Sequence, residues 1–102
     1  MDIKFKKINN ILTIYLYGEL DEYSCIRFRK LIDALINDNL NEKKIIFDLS
    51  GISFMDSTGI GLLIGRYKKI KKFNIDCYIT GASFSIEKVL QLSGLYSIMP
   101  KF

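Results

Sequence analysis

The 102-residue chain has no histidine, two cysteines and one proline. Without histidine it can build neither a Ser-His-Asp nor a Cys-His catalytic arrangement, and no histidine-based zinc site. Cys25 and Cys77 stand apart among apolar neighbours, with no CxxC spacing. Cysteines so placed read as reduced core residues rather than as a disulfide or a metal site. The longest near-apolar run, Ile60 to Gly65, falls far short of the ~20 residues a membrane span needs. The opening MDIKFKKINN alternates polar and apolar residues and so lacks the apolar core of a signal peptide. Repeats, linkers and low-complexity segments are also missing. These absences set the expectation of a cytoplasmic protein with no membrane partner.

What is present fits one domain over residues 1–102, with 49% hydrophobic and 25% charged residues, large enough for a single core. The net charge is +4. Much of that excess sits in Lys68, Lys69, Lys71 and Lys72, and the chain is rich in Ile, Lys and Asn throughout. A compositional bias of this kind raises lysine for reasons unrelated to ligands, so no direct nucleic-acid partner is expected.

Ile3 to Ile8 alternates with the strand period, Asn9-Asn10 is a turn signal, and Ile11 to Tyr17 is apolar and β-branched up to Gly18. This reads as a hairpin. From Tyr23 the period becomes helical, with Ile26, Leu31, Leu35, Phe28, Ile32 and Ile36 forming one broad apolar stripe that ends in NDNLNEK. Ile45 to Leu49 predicts a short central strand. A second helix is expected up to about Lys72, capped by Ser57 or Asp56, with Ile60, Leu63, Ile64, Tyr67 and Ile70 on its buried face. Its lysines gather in the last turns, where cations suit the negative end of the helix dipole. Ile75 to Thr80 predicts a strand, Ser83 to Leu92 a helix with Ile86, Val89 and Leu90 inward, and Ser97 to Met99 a last short strand. The alternation implies an α/β fold: a mixed, mainly parallel sheet of about four to five strands with helices packed on it.

Candidate chemistry is sparse. Glu19 and Asp21 with Asp48 or Asp56 would make a carboxylate pair only if the fold assembled them, and solvated or capping acids are the better explanation. Gly59, Gly61 and Gly65 are spaced GxGxxxG, not the GxGxxG of a dinucleotide loop. Small residues that let a helix lie close to the sheet are the simpler reading. Ser57 has a more specific use. A serine in the first turn of a helix sits beside unpaired N–H groups at the positive dipole end. Phosphorylation there adds about −1.5 to −2 charges to one surface spot without unfolding the chain. Capping alone also explains the residue, and from spacing alone it is the favoured reading, since capping serines are common.

Three segments resemble one family. SFMDSTGIGLLIGRYKKIKK (Ser53 to Lys72) is similar to the phosphorylation-site segment of bacterial anti-sigma factor antagonists, the single-domain STAS proteins. LYGELDEYS (Leu16 to Ser24) resembles the loop ending their second strand, and LQLSGLYSIM (Leu90 to Met99) their third helix and final strand. The matches keep the family's order and span nearly the whole chain. SFMDS with GRYKKIK is most similar to the stage II sporulation members, which act on an anti-sigma F factor; the general-stress members share MDSTG. The resemblance implies that the unphosphorylated chain binds an anti-sigma factor that is also a serine kinase, freeing the sigma factor. It implies that this kinase phosphorylates Ser57 and so ends binding, and that a serine phosphatase reverses it. Asp56 matches the motif acid, Ser57 the phosphoacceptor, Thr58 and Gly59 the turn, and Glu19 and Asp21 a neighbouring loop of the partner surface. No cofactor is implied and the serine is a substrate, so no catalytic residue is required. Two departures stand out: subgroup members usually continue into a further helix beyond the position of Phe102, and Thr58 replaces a frequent second serine. A scaffolding STAS domain and a nucleotide-binding module are the alternative classes.

Overall fold

A computed structural model describes residues 2–102. The chain folds in the order β1 (Ile3–Ile8), β2 (Ile11–Leu20), α1 (Ser24–Asn37), β3 (Lys44–Met55), α2 (Ser57–Lys71), β4 (Asp76–Thr80), α3 (Phe84–Ser93) and a 3-10 turn at Leu95–Ser97. The four strands form one sheet in sequence order: β1 is antiparallel to β2, and β2, β3 and β4 are mutually parallel. The hairpin turn has both asparagines at positive φ, 53° for Asn9 and 64° for Asn10. That is the backbone of a two-residue primed turn, whose twist suits flanking strands and which asparagine tolerates better than most residues.

One face of the sheet is sealed. Leu12, Ile45 and Cys77 lie side by side across β2, β3 and β4, as do Ile14, Phe47 and Ile79, and all are buried. Phe28, Ile32 and Ile36 of α1, Leu62, Leu63 and Ile70 of α2, and Ile86 and Leu90 of α3 complete the same core. Across the two longer helices, Arg66 of α2 reaches Asp33 of α1 at 3.0 Å. At the end of α1 the buried Asn39 donates its side-chain amide to the Leu35 carbonyl at 2.7 Å, which satisfies a polar group that burial would otherwise penalise. One edge of the sheet is β1, where Lys4, Lys6 and Lys7 flank the apolar positions, and the other is β4. The Lys4 ammonium stands 5.7 Å from the centre of the Tyr17 ring. No helix among the described residues is long and apolar enough to cross a membrane.

Several expectations are corrected. β2 does not stop at Gly18 but runs on to Leu20, and β3 is 12 residues long rather than spanning only Ile45 to Leu49. The pairing slips between Tyr15 and Tyr17 and again between Gly18 and Glu19. Each slip places one extra residue in β3, so the strand carries Ser50-Gly51 through as a bulge. Gly18 has φ of 112° at the second slip, a conformation glycine reaches without strain. Ile26 and Leu31 face outward, and Cys25 takes the inward place at the start of α1. Ser97 to Met99 is not a strand: the 3-10 turn occupies Leu95–Ser97, and only Lys101 bridges to Ile79 of β4.

Both cysteines are free and buried. Burial pushes the Cys77 thiol up to about 12, so the folded form holds it neutral while the unfolded chain ionises near its usual 9.0. Stability from this group is present below pH 9 and declines above it. Neither thiol is expected to react with a water-soluble disulfide reagent at pH 8 in the native protein, and both are expected to react in denaturant. Leu63→Ala, at a fully buried position, is expected to lower stability by about 2–5 kcal/mol in urea unfolding.

Candidate functional site

The site is built where β3 hands over to α2. Asp56 is extended, with φ −115° and ψ −169°, and its carboxylate accepts from the Thr58 N–H at 2.9 Å and the Gly59 N–H at 3.3 Å. Asp56 is therefore the N-cap, not Ser57. Two of the donors that every helix start leaves without a partner are satisfied this way. Ser57 becomes the first helical residue, exposed, with its hydroxyl released from capping. Thr58 beside it is also exposed.

The neighbouring elements fix this turn in place. The Asp56 N–H donates to the Leu20 carbonyl at 3.4 Å, tying the start of α2 to the end of β2. Gly59 is buried against the same residue, and a Cβ there would lie 2.8 Å from the Leu20 Cβ and its carbonyl oxygen. Only glycine permits that approach. A Cβ placed on Gly61 or Gly65 would have nothing within 4 Å, so the expectation that they bring the helix close to the sheet fails for both. Gly59 alone does so.

Directly after Leu20, the Asp21 carboxylate accepts from the Tyr23 N–H at 3.1 Å and the Ser24 N–H at 2.8 Å. The Ser24 bond, chiefly, holds the Asp21 carboxyl below its ordinary value of 3.8. The starts of α1 and α2 thus converge. Burial raises the Cys25 thiol's pKa, and the charges of Asp56 and Asp21 add to it. Glu19 is exposed and pairs across the sheet with Phe54. Glu19, Asp21, Asp56, Ser57 and Thr58 are accordingly gathered at one end of the sheet, with Gly59 buried beneath them as packing. Asp48 is not part of the group; its carboxylate closes a local turn with the Ser50 N–H at 2.9 Å and hydroxyl at 2.6 Å.

The arrangement presents the exposed Ser57 at the positive end of a helix, beside two carboxylates that accept backbone N–H groups, Asp56 as the cap of α2 and Asp21 in the turn before α1. Three exposed apolar residues in the same region are not singled out by the sequence: Tyr23 at 79%, Ile26 at 66% and Phe54 at 46% exposure. Periodicity alone puts Ile26 on the inward stripe. The only signal against that is that Cys25 and Phe28 already fill the inward positions one turn apart.

Because Asp56 carries the cap, Asp56→Ala is expected to cost about 0.5–2 kcal/mol of stability. Ser57→Ala is expected to stay within about 0.5 kcal/mol of the parent, as for a surface change away from such features. Paired urea titrations check both. The opposite ranking would return the capping role to Ser57.

Comparison with known proteins places this geometry. The STAS domain profile matches residues 2–102. The anti-sigma F factor antagonist of Paenibacillus polymyxa is 31% identical over 100 residues, covering 98% of this chain and 85% of the relative. The anti-sigma-B factor antagonist of Staphylococcus aureus is 32% identical over 82 residues, covering 80% of this chain and 74% of the relative. Among solved structures, the unphosphorylated form of the anti-sigma factor antagonist SpoIIAA superposes with a TM-score of 0.78 at 29% identity, over 98% of this chain and 87% of that one. The phosphorylated form of SpoIIAA, from Bacillus, gives 0.69 at the same 29% identity, over 98% and 90%. With its four-stranded mixed sheet, its three helices and its full-length match, the chain belongs to the STAS domain family of anti-sigma factor antagonists.

Proposed function

We propose that this chain is a partner-switching regulator of transcription. Unphosphorylated, it binds an anti-sigma factor with serine kinase activity and so releases a sigma factor; phosphorylation of Ser57 ends that binding, and a serine phosphatase restores it. The observation that carries the reading is the division of labour at the turn. Asp56 caps α2, which leaves the Ser57 hydroxyl exposed at the helix start with no structural duty. A phosphate there meets the helix dipole and does not need the fold to rearrange. That SpoIIAA has been solved in both unphosphorylated and phosphorylated forms supports a serine switch in a chain of this fold. Glu19, Asp21, Asp56, Ser57 and Thr58 would form the partner-facing surface, and the chain would act in the cytoplasm by binding rather than by catalysis.

A sporulation role follows from the likeness to the anti-sigma F factor antagonist. The S. aureus relative favours a general-stress role as the second reading. One experiment addresses both. The chain is incubated with ATP and either an anti-sigma F factor or an anti-sigma-B factor, followed by intact mass and peptide mapping, with Ser57→Ala as control. One phosphate on Ser57, absent from the control, is expected with one of the two. No transfer from either kinase, each active on its own antagonist, would sink the reading. Ser57→Asp is expected to keep the fold and weaken binding, whereas Ser57→Ala is expected to keep binding and abolish the switch.

A further inference from the structure

The helices cover one face of the sheet, and the alternate residues of each strand build the other. The register lays these out in rows across the strands. Lys6 stands beside Thr13, Thr13 beside Ile46 and Ile46 beside Tyr78. Ile8 and Ile11 begin the row on one side, and Lys4 and Tyr15 the row on the other. Ile46 is only 4% exposed although it lies outside the main core.

The last residues add a wall to this face. The Ile79 N–H donates to the Pro100 carbonyl at 3.0 Å, and the Phe102 N–H donates to the Ile79 carbonyl at 2.9 Å. The Phe102 ring then meets Tyr78 edge to face, with ring centres 5.5 Å apart. A hollow of about 250 Å³ remains, with Ile8, Ile11, Ile46 and Phe102 as its apolar lining. Lys6, Thr13 and Tyr15 bring polar groups to it. The volume exceeds the ~150 Å³ of a cavity that takes benzene. Apolar walls with a few polar groups are the make-up of a small-molecule site.

Charge decides what kind of molecule fits. Lys6 lines the hollow, and among the described residues no carboxylate does. Two more cations flank it. Lys4 stands beside Tyr15, and the Lys44 ammonium is 5.9 Å from the centre of the Phe102 ring. Asp48 and Asp76, which the register puts on the same face, are already engaged. Asp48 accepts from the Ser50 N–H and hydroxyl, and Asp76 reaches Lys71 at 3.7 Å. An ammonium ligand would meet like charge here, and a bare anion would leave the apolar lining unused. A molecule with an apolar body and one negative charge uses both.

We infer that this hollow is a binding site for a small acyl or aryl carboxylate. The carboxylate lies against the Lys6 ammonium, and the chain or ring lies on Ile46 and against Phe102. The site is on the sheet face opposite the helices and uses nothing from the Ser57 turn, so it stands independently of the function proposed above.

The test is a titration of the isotope-labelled chain, followed by two-dimensional amide NMR at about neutral pH. Octanoate and phenylacetate probe the acyl and aryl forms, with octanol, octylamine and acetate as controls. Saturable shifts at the Thr13, Ile46 and Phe102 amides are expected with at least one carboxylate, and the tighter of the two names the form. For ligands of about ten non-hydrogen atoms the expected Kd is about millimolar or tighter. Lys6→Met keeps the apolar stem and removes the charge, and is expected to weaken binding about tenfold or more. Lys6→Arg is expected to retain most of the affinity and Phe102→Ala to lose several-fold, whereas Lys68→Ala on α2 and Leu92→Ala on α3 change little. Circular dichroism confirms that each variant folds.

No saturation with either carboxylate would overturn the inference. Equal affinity for octanol or octylamine would reduce the hollow to an apolar surface, and equal affinity for acetate would make it a bare anion site; both outcomes refute the assignment. Parent-like binding in Lys6→Met would remove the assigned counter-ion. Tighter binding of a short single-stranded oligonucleotide at the same amides would replace the carboxylate with a base-stacking partner. Self-association through these amides, seen by sedimentation of the chain alone, would make a second copy the occupant and equally end the proposal.

Discussion

One carboxylate organises the functional end of this protein. Asp56 follows a 12-residue strand, accepts two N–H groups of the helix that comes next, and donates its own N–H to the end of the neighbouring strand. The direction in which α2 leaves the sheet, the burial of Gly59 against Leu20 and the exposure of Ser57 all depend on it. A cap is worth only about 1 kcal/mol in stability, but its positional effect is larger than that figure suggests. It assigns the structural task to one side chain and leaves its neighbour chemically available.

The parallel part of the sheet explains why the site gathers residues from distant stretches of sequence. Strands β2 and β3 run side by side, so their ends lie together and the helices that follow them begin close by. Asp21 ahead of α1 and Asp56 ahead of α2 each hold a turn with a carboxylate that accepts two following N–H groups, and topology brings the two turns together. Ligand sites of open α/β sheets collect at this edge for the same reason. Here that edge carries Glu19 and Asp21 at the end of β2 and Asp56, Ser57 and Thr58 at the start of α2.

What was legible in the sequence was what local physics decides. The hairpin followed from alternation and two adjacent asparagines, and α2 from periodic apolar residues ending in lysines. The alternation of strands and helices was enough for a mixed, mainly parallel sheet. What was not legible depended on partners elsewhere in the chain. Ser50-Gly51 has the chemistry of a turn, yet pairing with β2 carries the strand through it by way of bulges. Ile26 is as apolar as its neighbours, and only the filled inward positions of Cys25 and Phe28 send it outward. Three glycines in one segment looked equivalent, but just one meets a neighbouring strand. The choice between Asp56 and Ser57 as cap turned on backbone angles at a single residue, and composition does not report those. The motif that marks the family was visible throughout; the reason its serine is free was not.

The lysines of β1 have a consequence beyond solubility. An edge strand offers a row of unpaired backbone groups to any other strand, and the charges of Lys4, Lys6 and Lys7 discourage such pairing. By blunting the β1 edge, the hairpin disfavours sheet-to-sheet association of copies, so the backbone groups of that strand stay turned to water rather than to a neighbouring chain.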